Sequence, residues 1–266
     1  MKIFLSLCLL TSLQVFADDH EEDKPMYEAN VAEYYFSSFK EGKDMDDMMK
    51  WAAKWEKWAT TGDAAEPNAD YSASILVPYY GVNLDQVDFV WLGINSNPEM
   101  QAIGNDYWVQ NGEKLLAELP VTNSQVANTW QRTVSETPDG SAGYVVYSDC
   151  RYGEGVTAQQ EYDAWFAFAQ AAKKLGDVAG RKMIWPTMGV TPGWDYDYVQ
   201  AVYTSSITDY GKNWTNFWGA DNEMPEYEAM VAMGGECENE RSFTICLLYT
   251  SPSPRDATLS RMPSSA

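Results

Sequence analysis

An α+β fold class, made of two copies of one strand, helix, strand, strand, helix, strand unit, is predicted by three features of the amino-acid sequence. The first is a duplication: Tyr34-Tyr35-Phe36-Ser37-Ser38-Phe39-Lys40-Glu41-Gly42 returns as Tyr147-Ser148-Asp149-Cys150-Arg151-Tyr152-Gly153-Glu154-Gly155. Downstream, Pro78-Tyr79-Tyr80-Gly81-Val82 returns as Pro186-Thr187-Met188-Gly189-Val190, Phe89-Val90-Trp91 as Tyr198-Val199-Gln200, and Tyr107-Trp108 as Phe217-Trp218. The second feature is that two-residue and helical periodicities alternate in the same order in both copies. The third is a matched helix start, with a capping residue shortly after Gly42 and again after Gly155. One such unit leaves a hydrophobic face uncovered, so two copies in one chain are expected to pack on each other.

In the first copy, the spacing predicts a strand over residues 32–37 and a helix opened by Asp44 as N-cap, with Asp47 three positions on. Met48, Trp51, Ala52, Trp55, Trp58 and Ala59 recur at helical spacing and form one apolar stripe, read as core rather than as a ligand-stacking surface. Strands follow over residues 71–79 and 87–94, then a broken helix from Pro98 to Leu119 and a strand over 128–134. The polar Gly/Pro segment 135–142 is the boundary between repeats. The second copy runs as a strand over 143–149 and a helix capped by Thr157, with Gln160 completing a capping box and Trp165, Phe168, Ala169 and Ala172 as its stripe. Central strands at 182–187 and 196–204, a broken helix over 206–231 and a strand over 241–245 complete it. A βαββαβ order gives a four-stranded antiparallel sheet with both helices on one face, the ferredoxin-like arrangement, so the expected architecture is two ferredoxin-like repeats, 30–136 and 140–245, packed sheet to sheet.

The stretch FKEGKDMDDMMKWAAKW at residues 39–55 and its degenerate partner YGEGVTAQQEYDAWFAF at 152–168 resemble the dimeric α+β barrel superfamily in a fused, two-copy form. They are similar in particular to a group of secreted marine bacterial proteins. The resemblance spans about residues 30–245 and implies an intramolecular pseudo-dimeric barrel in a monomer. Members of the superfamily include cofactor-free monooxygenases, small-molecule isomerases and haem enzymes, so it implies a fold more firmly than a reaction. The haem members' proximal histidine has no counterpart here.

The chain ends are read as extrinsic to this fold. Met1-Lys2, an apolar run from Ile3 to Phe16 and Val15-Phe16-Ala17 make a secretory signal with cleavage expected after Ala17, which predicts a periplasmic or extracellular protein. Residues 18–29 form an acidic leader expected to be disordered. Residues 246–266 back-translate codon by codon to a sequencing adapter and are expected to be disordered and without chemistry.

Composition narrows the function classes. A formal net charge of −21 opposes binding to nucleic-acid phosphates or anionic membrane surfaces, and no later segment is long and apolar enough to span a bilayer. His20, in the leader, is the sole histidine, so a histidine-ligated haem, a histidine-rich zinc site and Ser-His-Asp or Cys-His relays lack a required residue. There is no Gly-rich phosphate loop and no CxxC pair, and neither a metal nor a cofactor is expected.

In this architecture the sheet faces opposite the helices line a cavity between the copies. Alternation in the third strands divides Val90 and Leu92 from Phe89 and Trp91, and Val199 and Ala201 from Tyr198 and Gln200. Assigning the aliphatic set to the helices makes Phe89, Trp91, Tyr198 and Gln200 the cavity-lining candidates, with Trp130 and Arg132 from the fourth strand beside them. The function expected is binding of an apolar or aromatic small molecule in this interior without catalysis. The alternative is a cofactor-independent, monooxygenase-like or isomerase-like enzyme in which a Tyr, Trp or carboxylate moves the proton. Strand order also predicts a disulfide. Cys150 ends the second copy's first strand and Cys237 precedes its fourth, and these strands are antiparallel neighbours in a split βαβ sheet. Ser37 and Ser124 hold the matching places in the first copy.

Overall fold

The computed structural model describes residues 27–82, 84–219 and 223–249. The expected signal sequence, most of the acidic leader with His20, and residues 250–266 lie outside the described residues.

The first repeat consists of β1 (Ala29–Phe39), α1 (Met45–Ala59), β2 (Ser72–Tyr80), β3 (Phe89–Asn95), α2 (Pro98–Asn111), α3 (Glu113–Glu118) and β4 (Val121–Ser135). The second consists of β5 (Tyr144–Arg151), α4 (Ala158–Lys174), β6 (Gly180–Met188), β7 (Tyr198–Thr204), α5 (Ile207–Asn213), α6 (Pro225–Val231) and β8 (Glu236–Tyr249). The strands run β1-β3-β2-β8-β5-β7-β6-β4 around a closed barrel, and every pair is antiparallel. Read within each repeat, this is β4-β1-β3-β2 and β8-β5-β7-β6, the same order twice and the ferredoxin-like order. The two sheets therefore do more than face each other. Their outer strands hydrogen-bond, β2 to β8 and β4 to β6, and no sheet edge is left open.

Local chemistry sets the helices on the outside. The Asp44 carboxylate accepts from the Asp47 N–H at 3.1 Å, while Thr157 and Gln160 form the reciprocal capping box predicted for α4. Gly42 and Gly155 take the left-handed conformation in the turn before each helix, with φ of 72° and 77°. Met48, Trp51, Ala52, Trp55 and Ala59 of α1 pack on the outward face of the first sheet, against Ala73, Ile75, Phe89 and Trp91. Tyr162, Phe166 and Ala169 of α4 do the same against Val134, Cys150, Met183 and Tyr198.

Strand limits are the main difference from the sequence reading. The first strand extends from Ala29 to Phe39, and β4 begins at Val121, because the polar run Thr122-Asn123-Ser124-Gln125 takes its ladder from β1 despite its loop-like composition. A register shift at Phe36/Ser37 pairs Ser37 with Asn123, so Asn123 and not Ser124 is its partner, with Ser37 Oγ donating to Asn123 Oδ1 at 2.9 Å. At the other end the expected limit of order at Ile245 is corrected. β8 continues through Cys246, Leu247 and Leu248 to Tyr249, with Cys246 opposite Ile75 and Leu247 opposite Ser74. The edge of β2 supplies a template there, and Leu248 joins the apolar cluster under α1.

Cys150 and Cys237 are direct cross-strand partners in β5 and β8 and form a disulfide with Cα atoms 4.1 Å apart. The bridge closes a loop of sequence separation 87, for which chain-entropy reasoning gives about 4.6 kcal/mol before native strain is subtracted. Guanidinium denaturation with and without reductant should show a loss of that order, and Cys150→Ser should abolish the difference between the two conditions.

Candidate functional site

The closed barrel encloses a chamber of about 240 Å3. Its walls come from alternate residues of nearly every strand: Tyr34 and Phe36 of β1, Val90 of β3, Ala127 and Thr129 of β4, Tyr147 and Asp149 of β5, Ile184 of β6, Val199 of β7, and Arg241 and Phe243 of β8. An eight-stranded barrel leaves an interior just wide enough for side chains or one small ligand. Beside the rings of Tyr34, Tyr147 and Phe243, β3 contributes Val90, Leu92 and Ile94 to this core and β7 contributes Val199, Ala201 and Tyr203. Val190, Thr191 and Trp194, in the segment joining β6 to β7, line the same chamber at one end of the barrel.

Polar groups converge at that end. Arg241 Nη2 donates to Asp149 Oδ1 at 2.9 Å, and Asn239 Nδ2 donates to Asp149 Oδ2 at 3.3 Å. Asp149 is only 7% exposed, while its partner Arg241 is half-buried and reaches solvent, so the pair stands as a fixed dipole on the chamber wall. Deeper in, the Tyr34 and Tyr147 rings meet edge to face at 6.3 Å. Tyr34 Oη donates to Gln131 Oε1 at 3.5 Å, while Gln131 Nε2 is buried without a partner among the described residues. Burial pushes the Tyr147 phenol up to about 12, with the Tyr34 hydroxyl and the Arg241 charge acting in the opposite direction. Burial, reinforced by Tyr147, holds the Tyr34 phenol well above the usual tyrosine range. Both phenols are thus hydrogen-bonding groups at neutral pH, and neither is poised as a base.

None of the six residues proposed from the sequence as lining this interior does so. Phe89 and Trp91 face α1, with Trp91 edge-on to Trp51 and Trp55 at 6.0 and 5.3 Å. Tyr198, 1% exposed, lies under α4 and donates to Glu161 Oε1 at 3.1 Å, and Gln200 sits beside the disulfide, its Oε1 3.5 Å from Cys237 Sγ. Trp130 is 41% exposed on the outer surface, and Arg132 lies over the Tyr162 ring at 3.9 Å while donating to the Tyr27 carbonyl. The error is one of parity, which in a strand moves every side chain to the other face. Its physical cause is the tryptophan stripe of α1: Trp51 and Trp55 find large ring partners on the sheet, whereas the narrow interior takes the aliphatic residues of β3. The interior groups the sequence reading missed, Asp149 and Arg241, stand on β5 and β8. Extending the disulfide's pairing would have set Arg241 opposite Val146; the register shift between Tyr147 and Asp149 sets it opposite Tyr147 instead, within reach of Asp149.

Phe89 and Trp91 do line a second chamber, of about 130 Å3, between the outward face of β1 and β3 and the helices of the first repeat. Gly93 permits the Tyr71 ring to lie directly across β3 at its floor, where a Cβ would collide with that ring.

No family model matches the sequence, and no curated protein matches it. Among solved structures, the chain is similar to chlorite dismutase from Candidatus Nitrospira defluvii in complex with imidazole, at 10% identity and TM-score 0.46, covering 82% of this chain and 92% of that one. It is also similar to a heme-binding protein from Thermus thermophilus, at 11% identity and TM-score 0.43, covering 84% and 94%. A third, an anthrone oxidase-like protein, has 10% identity and TM-score 0.44, covering 88% and 97%.

The buried phenols make the folded state sensitive to alkali. A phenol raised from 10 in the unfolded chain to about 12 at Tyr147 stabilises the fold fully below pH 10, and that contribution is lost as pH rises through 12. Denaturation midpoints should fall between pH 10 and 12, and Tyr147→Phe should remove a share of that slope on the order of 2 kcal/mol. Absorbance at the phenolate band during the same titration measures the ionisation directly.

Proposed function

We propose that this protein binds a small molecule in the barrel chamber, one with an aromatic or apolar body and a polar end. The observation that carries the reading is the chamber's construction: apolar walls of Phe36, Leu76, Val90, Ile184, Val199 and Phe243, with the Asp149–Arg241 pair and two phenols at fixed positions. A mostly apolar cavity with a few convergent polar groups is the usual form of a ligand site. Its volume of about 240 Å3 lies just below the roughly 300–1,000 Å3 of most such pockets, which favours a ligand of one or two rings. The Cys150–Cys237 bridge supports an oxidising compartment outside the cytoplasm as the place of action.

A haem held through histidine or cysteine does not fit these residues. The sole histidine, His20, is in the leader, and the sulfurs of Cys150 and Cys237 are bonded to each other, so neither chamber presents an imidazole or a thiolate to an iron. A cofactor-independent monooxygenase-like or isomerase-like enzyme is the second reading, and one observation favours it: Asp149 is a buried carboxylate on the chamber wall. Both of its oxygens already accept hydrogen bonds, from Arg241 and Asn239, which supports a binding role first.

A thermal-shift panel of naphthalene-2-carboxylate, 2-naphthol and naphthalene should produce at least one member that raises the melting temperature by about 5–10 °C at a hundredfold excess over its Kd. Ala127→Trp, which fills the chamber, should abolish that shift with the far-ultraviolet spectrum unchanged. A shift retained in Ala127→Trp, or none from any member of the panel, contradicts the proposal. Turnover of a bound ligand that is lost in Asp149→Asn would favour the enzyme.

A further inference from the structure

We infer that the chamber beneath the helices of the first repeat is a separate binding site for a small organic cation, an alkylated or quaternary ammonium compound. Its defining group is Glu33. The residue is 8% exposed, and its carboxylate accepts from Asn105 Nδ2 at 2.7 Å and from Tyr35 Oη at 3.1 Å. No Lys or Arg approaches it within ion-pair distance among the described residues, and no cationic residue lines the chamber. The other buried carboxylates differ. Asp149 and Asp177 each hold an arginine, Arg241 and Arg181, and Glu161 lines neither chamber. A buried charge without a counter-charge is costly, and a cationic ligand would supply what the fold omits.

The walls agree with this chemistry. Trp51, Trp55, Trp91 and Trp108 line the same chamber as Glu33, together with Tyr35 and Tyr71. Ring faces attract cations, and quaternary ammonium groups are the ligands for which aromatic cages serve best, since they cannot donate hydrogen bonds. The proximity of Glu33 reinforces burial in raising both the Tyr35 and Tyr71 phenols, which places both rings in its field.

The covering helix is built for a cavity rather than for packing. The positions of α2 that line the chamber, 101, 104, 105 and 108, recur at helical spacing and carry Gln, Gly, Asn and Trp instead of an apolar stripe. Asn105 is exposed as well as bonded to Glu33, so it stands between the carboxylate and solvent. A volume of about 130 Å3, roughly that of four water molecules, admits a small ammonium compound and excludes a bulky one. The net charge of −21 further raises the local concentration of cations at the surface.

The test is titration of choline chloride into the full chain, read by calorimetry and tryptophan fluorescence, beside its neutral isostere 3,3-dimethylbutan-1-ol. Choline should bind at least about tenfold more tightly than the alcohol. Glu33→Gln, which retains a hydrogen-bonding side chain but removes the charge, should weaken choline at least about tenfold, leave the alcohol unchanged, and keep or raise the melting temperature of the free protein. Should that variant fold poorly, Trp108→Leu at a half-buried wall position carries the same expectation for choline. Equal binding of the two probes, absence of saturable choline binding, or choline affinity unchanged in both variants overturns the proposal. Tighter binding of a trimethyl-lysine peptide than of choline would overturn the assignment to a free small molecule.

Discussion

Each βαββαβ unit in this chain ends with two strand edges whose backbone donors and acceptors need partners, and the fold depends on how those edges are satisfied. β2 takes β8, and β4 takes β6, so that the second copy supplies both partners the first one lacks. Pro78 and Pro186 occupy corresponding places at the two seams, opposite Phe243 and Thr129. Closure removes the edges that would otherwise invite other chains, and it also confines the inward faces of eight strands to a small volume. The helices cannot enter that space and cover the outside instead.

From this constraint follow two unequal kinds of cavity. The barrel interior is shared, and its contents come from both repeats: Tyr34 meets Tyr147, and the Asp149–Arg241 pair bridges the neighbouring strands β5 and β8 on its wall. The helix layers are private to each repeat and have diverged. In the second repeat, Phe168, Ala172, Phe217 and Met224 fill the layer, and the Asp177–Arg181 pair neutralises the buried charge beside it. In the first repeat the corresponding space holds Glu33 among aromatic rings beneath an α2 whose inner residues are mostly polar. The two halves thus share their strand order and differ in how their helix layers are filled.

Much of this was legible in the sequence because it rests on local rules. The repeat units, the caps at Asp44 and Thr157, the Gly42 and Gly155 turns and the pairing of Cys150 with Cys237 follow from periodicity and strand order. What was not legible is the choice between two faces of the same strand. The alternation of Phe89 and Trp91 with Val90 and Leu92 is unambiguous, but which set faces inward depends on the total volume that eight strands place inside the barrel and on the rings offered by α1. The ends of β4 and β8 were equally hidden. Thr122-Asn123-Ser124-Gln125 becomes strand because β1 lies beside it, and Cys246 to Tyr249 because β2 does.

Amide hydrogen exchange across the two seams tests the central claim most directly. If the copies are hydrogen-bonded into one barrel, amides of Ile75, Val77, Thr244 and Cys246 at one seam, and every second amide along the paired segments 129–133 and 182–186 at the other, should be protected comparably to those of the β1–β3 and β5–β7 ladders, and all should be released together on global unfolding. Fast exchange at the seams beside slow exchange within each repeat would show two sheets that merely face each other, and would contradict the enclosed chamber on which the account rests.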